Sequence, residues 1–252
     1  MKNRSRPSTD VVHVAATDHR ILRRPEAAEE AGKPLPPWQS GQRFIVNFFA
    51  DLLDPGDPEP ERDYAVALMS MAASEPLSER FTDWLAQEAL PRLNPAVARA
   101  PSDIEAQAAL GYALFLQRRR TDSMTVFETA LGEAPRHELA LSQAATVAEQ
   151  IGQRGRALEL WKRAVEVDPV EWRYHYQCAR LSSLTGEWRN ALEACREALR
   201  LSPFRIEVRV LEVRCLLAQG SKEEARAAFN TLVSLKPPNE DGLRRWFAEQ
   251  AR

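Results

Sequence analysis

The sequence has few of the features that would place it in a specialised class of protein. Only 3 of its 252 residues are cysteine, and none of them forms a Cys-x-x-Cys pair, which argues against a disulfide framework or a zinc site. No uncharged apolar run approaches the ~20 residues that span a bilayer, so no transmembrane helix is expected. With 34 Lys+Arg against 36 Asp+Glu and a net charge of −2, the chain lacks the basic surface that phosphate binding requires. We therefore expect no nucleic-acid partner.

Catalytic and targeting motifs are also missing. There is no Ser/His/Asp grouping, glycine-rich phosphate loop or pair of acids with catalytic spacing, so the sequence predicts a non-catalytic protein. His137 and His175 have no second ligand at metal-binding spacing, and no cofactor is expected in this chain. The basic residues 1–7 are not followed by an apolar stretch, so the sequence as written predicts no secretory signal and a cytoplasmic location.

What the sequence does contain is a repeat of 34 residues. Glycine, alanine and bulky apolar residues keep the same step as proline, which makes coincidence an inadequate explanation. The proline series is Pro101, Pro135, Pro169, Pro203 and Pro237; the others are Gly152, Gly186 and Gly220; Ala157, Ala191 and Ala225; Ala130, Ala164 and Ala198; and Phe127, Trp161, Cys195 and Phe229.

Each unit has the pattern of two helices. Apolar residues spaced by three and four follow each proline for about fifteen residues, and a glycine then marks the end of that helix. A second helix runs to the next proline, with alanine in its middle, where two helices approach closely. One such pair cannot bury its apolar stripe alone, so neighbouring units are expected to stack.

These residues resemble the tetratricopeptide repeat family, whose unit is a 34-residue helix–turn–helix. The resemblance implies an all-α fold, a right-handed α-solenoid with four units over residues 101–238. It also implies a non-catalytic scaffold that mediates protein–protein interaction through a concave groove.

The ends of the array are less regular. Residues 61–100 are interpreted as a degenerate leading helical pair, whose second helix is expected to break at Pro91 and Pro95. Residues 239–252 have the pattern of a C-terminal capping helix with one apolar stripe. Residues 1–60 are rich in proline and charge, which predicts an extended arm with a short helix near 43–53.

In the family, fixed positions of the first helix in each pair line the groove. We expect seven candidates there: Tyr112, Thr146, Glu149, Arg173, Tyr176, Arg180 and Arg214. The three arginines would form a cationic strip with Tyr176 as an aromatic anchor, suited to an acidic peptide or a carboxylate. The alternative is that these are solvated surface charges without a ligand.

The cysteines have a similar pair of interpretations. Cys178 and Cys195 fall at packing positions of one helix pair and would approach each other there. Their expected role is that of small buried apolar residues.

Residues 10–25 carry a second resemblance. The string Val12-His13-Val14 through Thr17-Asp18-His19 to Arg23-Arg24-Pro25 is similar to the segment that joins a multihaem c-type cytochrome to a tetratricopeptide tail. That resemblance implies an alternative function: the C-terminal part of a secreted electron-transfer protein, periplasmic or extracellular, with haem c in a longer parent. His13 and His19 would then be haem-ligand candidates.

This chain has no Cys-x-x-Cys-His, so as written it cannot attach haem c. Two explanations for the motif stay open. The sequence starts downstream of the true start, or the motif is a relic of a lost haem domain.

Overall fold

A computed structural model describes residues 57–74 and 77–250 of the chain, all of which belong to one compact unit, Asn47–Arg252. The described residues form eleven helices and no strand. The helices are α1 Glu59–Ser74, α2 Glu79–Arg99, α3 Ile104–Leu116, α4 Arg120–Glu133, α5 Glu138–Gln150, α6 Arg154–Val167, α7 Trp172–Leu184, α8 Trp188–Leu201, α9 Ile206–Ala218, α10 Lys222–Ser234 and α11 Glu240–Gln250.

The helices stack in sequence order. Each odd-numbered helix from α1 to α9 packs against the helix that follows it, and each pair packs against the next pair. The core is therefore a continuous strip in which every pair supplies the partner surface that its neighbours need. This arrangement confirms the predicted all-α solenoid of helix pairs. No helix within residues 57–74 and 77–250 is long and apolar enough to cross a membrane.

Glycine ends the first helix of three consecutive pairs for a conformational reason. Gly152, Gly186 and Gly220 have φ of 83°, 79° and 76°, a left-handed conformation that costs other residues energy because of their Cβ. One repeat earlier, Arg118 occupies the equivalent position with φ of 63°. The pair formed by α3 and α4 therefore makes the same turn with arginine in place of glycine.

The small residues of the repeat are buried. The alanines of the second helices are fully buried, and Phe127, Trp161, Cys195 and Phe229 of the bulky series are buried as well. The fully buried alanines are Ala130, Ala157, Ala164, Ala191, Ala198 and Ala225.

The leading helices differ from the sequence expectation at one point. Pro91 and Pro95 do not break α2, which continues to Arg99. Both prolines are exposed, as is Gln87, and the spacing of four places all three on the solvent face of the helix. The residues whose carbonyl groups lose an amide partner to these prolines, Gln87 and Pro91, are thus exposed rather than buried in the core. The opposite face is buried at Leu85, Ala86, Ala89, Leu93 and Ala96.

An ion pair fixes α1 against the start of α3. The Arg62 guanidinium donates from Nε to Oδ2 of Asp103 at 2.8 Å and from Nη2 to Oδ1 at 2.7 Å. Asp103 also caps α3, because its Oδ1 accepts from the Ala106 amide at 3.0 Å. The Arg62 guanidinium holds the pKa of the Asp103 carboxyl below its usual value.

The last helix covers the end of the strip. Leu243, Trp246 and Phe247 of α11 pack against the cluster around Val213, Phe229 and Leu232. The Phe247 and Phe229 rings are stacked, with centroids 4.2 Å apart and an interplanar angle of 7°. The apolar side of α11 thus faces the last repeat.

Candidate functional site

The predicted groove positions lie on the first helices of the four 34-residue repeats, α3, α5, α7 and α9. The structure does not present them equally. Tyr112 of α3 is only 9% exposed, and its hydroxyl donates to the Ala72 carbonyl of α1 at 3.2 Å. Ala108, one turn earlier on the same face, is fully buried. Because α1 covers this face of α3, Tyr112 does not face an open groove, and the candidate surface begins at α5.

The central feature of that surface is a bidentate ion pair between two repeats. Arg180 of α7 donates from Nη1 to Oε1 of Glu149 on α5 at 2.6 Å, and from Nη2 to Oε2 of the same carboxylate. Its Nε donates to Oε1 of Gln177 at 2.9 Å. The side chains of Arg180 and Glu149 are 30% and 27% exposed. Glu149 therefore neutralises one of the three arginines expected to form a cationic strip.

Arg173 is also engaged. Its Nη1 donates to Oε2 of Glu171 at 3.2 Å, and its guanidinium lies 5.4 Å from the centroid of the Trp172 ring. Glu171 precedes α7 and accepts from the Arg173 amide at 3.0 Å as a helix cap. Glu171, two residues earlier in the chain, thus balances the charge of Arg173.

Arg214 of α9 is exposed, and no described residue forms an ion pair with it. It lies close enough to Tyr176 to act on the pKa of the phenol. Burial raises that pKa, Arg180 and Arg214 lower it, and Glu207 raises it. Charges of both signs on α7 and α9 therefore act on the Tyr176 hydroxyl.

Tyr176 is held by packing as well as by charge. Its ring centroid is 6.3 Å from that of Trp172, one turn earlier on α7, with the planes tilted by 38°. Such aromatic pairs restrict the orientation of both rings.

Thr146 of α5 is half-buried, and its hydroxyl donates to the Ser142 carbonyl in the same helix at 3.0 Å. The hydroxyl hydrogen is therefore already engaged within α5.

Family models with the description "Tetratricopeptide repeat" match most of the described chain. One matches residues 86–138 and 142–206, and a second matches residues 184–243. Together they extend from α2 into α11, more than half of the sequence. The chain belongs to the tetratricopeptide repeat family.

Solved structures similar to this tetratricopeptide repeat protein carry the name MamA. A MamA double mutant, RS-1 ArsTM, has a TM-score of 0.60 and 20% identity, and the match covers 73% of this chain and 97% of that chain. MamA 41-end from Desulfovibrio magneticus RS-1 has a TM-score of 0.58 and 19% identity, covering 70% and 95%. At these identities the likeness shows the fold alone. No curated protein matches the sequence significantly.

The histidines of this tetratricopeptide repeat protein that the structure describes have structural partners. Nδ1 of His137 accepts from the Ala140 amide at 3.2 Å and caps α5, and its Nε2 lies 3.1 Å from Oε1 of Glu105. Nε2 of His175 donates to the carbonyl of the boundary residue Pro169 at 3.0 Å. Residues 57–74 and 77–250 contain no group of three or more His, Cys, Asp or Glu side chains that could hold a metal ion. His13 and His19 lie outside the described residues.

The three described cysteines lie in the core. Cys178, Cys195 and Cys215 are free and buried, and the thiol that acts on Cys195 is that of Cys215 in the next repeat. Burial raises the pKa of the Cys178 thiol to about 11. The contact with Cys215, together with burial, raises the pKa of Cys195 as well, so both thiols stay protonated at neutral pH and behave as apolar residues.

Sequence reasoning missed three contributors to the groove: Gln177, Glu171 and Trp172. Each lies close along the chain to a predicted residue. The spacing of Trp172, Tyr176 and Arg180 is four residues each time, so all three share one face of α7. The four-residue spacing could therefore have identified Trp172 as a groove residue. The Glu171 and Gln177 contacts depend on rotamers that the sequence does not encode locally.

Proposed function

We propose that this tetratricopeptide repeat protein is a non-catalytic scaffold that binds a protein partner along the face formed by α5, α7 and α9. The coarse part of this proposal is supported by the family, whose members generally act as non-catalytic interaction scaffolds. The finer part is the kind of partner: an extended segment that carries an acidic side chain.

The observation that carries the finer part is the position of Arg214. It is an exposed guanidinium without a carboxylate partner among the described residues, and its charge acts on the half-buried Tyr176 of the preceding repeat. A carboxylate of the partner would receive a charge-assisted hydrogen bond from Arg214. The Tyr176 and Trp172 rings would pack against the neighbouring part of the partner, since aromatic and arginine side chains carry much of the energy in protein interfaces.

The Arg180–Glu149 pair sets a limit on this recognition. A second carboxylate could reach Arg180 only by displacing Glu149 from a bidentate contact. Displacement leaves Glu149 half-buried and unpaired, which costs much of what the new contact supplies. We therefore expect one acidic position in the partner to dominate, next to Arg214, rather than a run of acids along three arginines.

The test is a binding titration with fluorescein-labelled decapeptides that contain one Glu among apolar residues, followed by fluorescence anisotropy. Arg214→Glu should weaken binding at least ~10-fold, about 1.4 kcal/mol, because it replaces attraction by repulsion. Arg226→Glu is the matched control, since Arg226 is exposed on α10, the second helix of the same repeat. Equal affinity of Arg214→Glu and the wild type would remove the acidic-partner assignment.

The cytochrome interpretation receives no support from the described residues. It depends on residues 10–25, which lie outside them, and the sequence contains no Cys-x-x-Cys-His to attach haem c. No second function is therefore proposed.

A further inference from the structure

A second surface lies at the boundaries between repeats and borders the groove at Glu171 and Trp172. Three large apolar side chains among the described residues are exposed, and two of them follow a boundary proline. Val170, after Pro169, is 69% exposed, and Phe204, after Pro203, is 76% exposed. Val170 and Phe204 are 34 residues apart and therefore occupy the same place in successive repeats.

The two boundary segments are neighbours in space. The Arg205 guanidinium, which follows Phe204, lies 4.2 Å from the centroid of the Trp172 ring, which follows Val170 by two residues. Stacking of this kind fixes both side chains. We call Val170, Glu171, Phe204 and Arg205 the edge patch.

The charges of the edge patch are opposite at equivalent places. Val170 is followed by Glu171, and Phe204 is followed by Arg205, so each boundary presents one apolar residue and then one charge. Glu171 already contacts Arg173 at 3.2 Å. Arg205 donates from Nε to the neutral Oγ of Ser202 at 3.1 Å, and no described carboxylate forms an ion pair with it.

This pattern is complementary to itself under a twofold rotation. We propose that the edge patch binds the edge patch of a second copy of this chain, with the twofold axis between the two boundaries. In a twofold interface every contact occurs twice: if one residue of the first copy contacts a second residue of the other copy, the reverse contact is also made. Phe204 then packs on Val170 of the second copy, and Arg205 faces Glu171 of the second copy. An unrelated partner would need only one sign of charge here, whereas a second copy uses both.

The size of the patch sets the strength of the dimer. With two apolar side chains and one ion pair per copy, we expect the interface to belong to the weak, transient class, which buries less than ~1,200 Å² in total. The dimer is therefore concentration-dependent.

The experiment measures the mass of the full chain by sedimentation equilibrium from ~5 to ~500 µM. The wild type should shift from monomer to dimer across this range. Phe204→Ser should raise the dissociation constant at least ~10-fold, because it removes the apolar contact at both symmetric positions. Leu184→Ser is the matched control: Leu184 is the third exposed apolar residue, 55% exposed, at the end of α7, and its loss should leave the dimer unchanged.

A charge reversal tests the twofold pairing separately. Arg205→Glu should weaken the dimer, because it places two carboxylates opposite each other. Circular dichroism checks that helicity is equal in all variants. A wild type that stays monomeric to ~500 µM, or a dimer insensitive to Phe204→Ser or to Arg205→Glu, would overturn the proposal.

Discussion

The ring of Phe127 lies against the backbone of Gly111 so closely that a Cβ on Gly111 would stand 2.8 Å from its Cε1 atom. Phe127 is fully buried, and the Ser123 hydroxyl donates to the Gly111 carbonyl at 2.7 Å in the same crossing. The first repeat thus brings α3 and α4 together over a residue without a side chain. The later repeats have Ala145, Ala179 and Val213 in that place.

Gly111→Ala should therefore destabilise the protein. A large ring in a packed core must shift to admit the methyl group, which costs roughly 1–3 kcal/mol, although alanine recovers up to about 1 kcal/mol of helix propensity. Gly132→Ala in α4 is the matched control, because nothing lies within 4 Å of its Cβ position, and it should stabilise by ~0.5–1 kcal/mol. Urea unfolding measures both, and a change of the same sign in the two variants would contradict the contact.

Arg118→Gly should stabilise the first repeat. Arg118 has φ of 63°, a left-handed conformation that costs a residue with a Cβ roughly 1 kcal/mol. The ion pair that the substitution removes, with Glu79, is exposed on both sides and contributes little. The converse variant, Gly152→Ala at φ of 83°, should destabilise by a similar amount. Thermal unfolding of the two variants should move the melting temperature in opposite directions, and a lower value for Arg118→Gly would show that the ion pair outweighs the strain.

The Arg62–Asp103 pair predicts a loss of stability in acid. Arg62 lowers the pKa of Asp103 in the folded chain, whereas the unfolded chain has the ordinary value of about 3.9. The pair therefore stabilises the fold above that pH, and its contribution is lost as the pH falls through the lower, folded pKa.

Asp103→Asn keeps an oxygen to cap α3 but removes the charge. It should cost about 1–2 kcal/mol at pH 7, and its stability should approach that of the wild type as the pH falls below 3. The free energy of unfolding against pH, measured for both chains, checks this. Parallel curves down to the lowest pH would show that Asp103 acts only as a cap.

Most of the fold could be predicted because the repeat places each helix signal at a fixed step. Gly152, Gly186 and Gly220 end helices for a local reason, the left-handed φ, and local reasons are visible in a sequence. Pro91 and Pro95 misled the expectation for α2, because a helix can continue through a proline by bending there. Gln87, Pro91 and Pro95 are spaced by four residues, which places them on one face of the helix. Only packing decides whether that face meets solvent or the core.

The candidate site could be predicted less well. The family register placed Tyr176, Arg180 and Arg214 on neighbouring helices, but it could not show that Glu149, 31 residues before Arg180, neutralises that arginine. Nor could it show that α1 covers Tyr112, because α1 belongs to the irregular leading pair. Contacts between repeats depend on side-chain length and rotamer, which no single helix pattern contains.

The central claim is that the face of α5, α7 and α9 binds a protein partner beside Arg214. The most direct measurement replaces Tyr176 with the photocrosslinker p-benzoylphenylalanine in the full chain, irradiates it in native extract and identifies the products by mass spectrometry. The same replacement at Asn230, exposed on α10, is the control. We predict a discrete crosslinked protein from position 176 that disappears when Arg214→Glu is added and is missing from position 230. Identical products from both positions, or products from position 176 that persist with Arg214→Glu, would contradict the account.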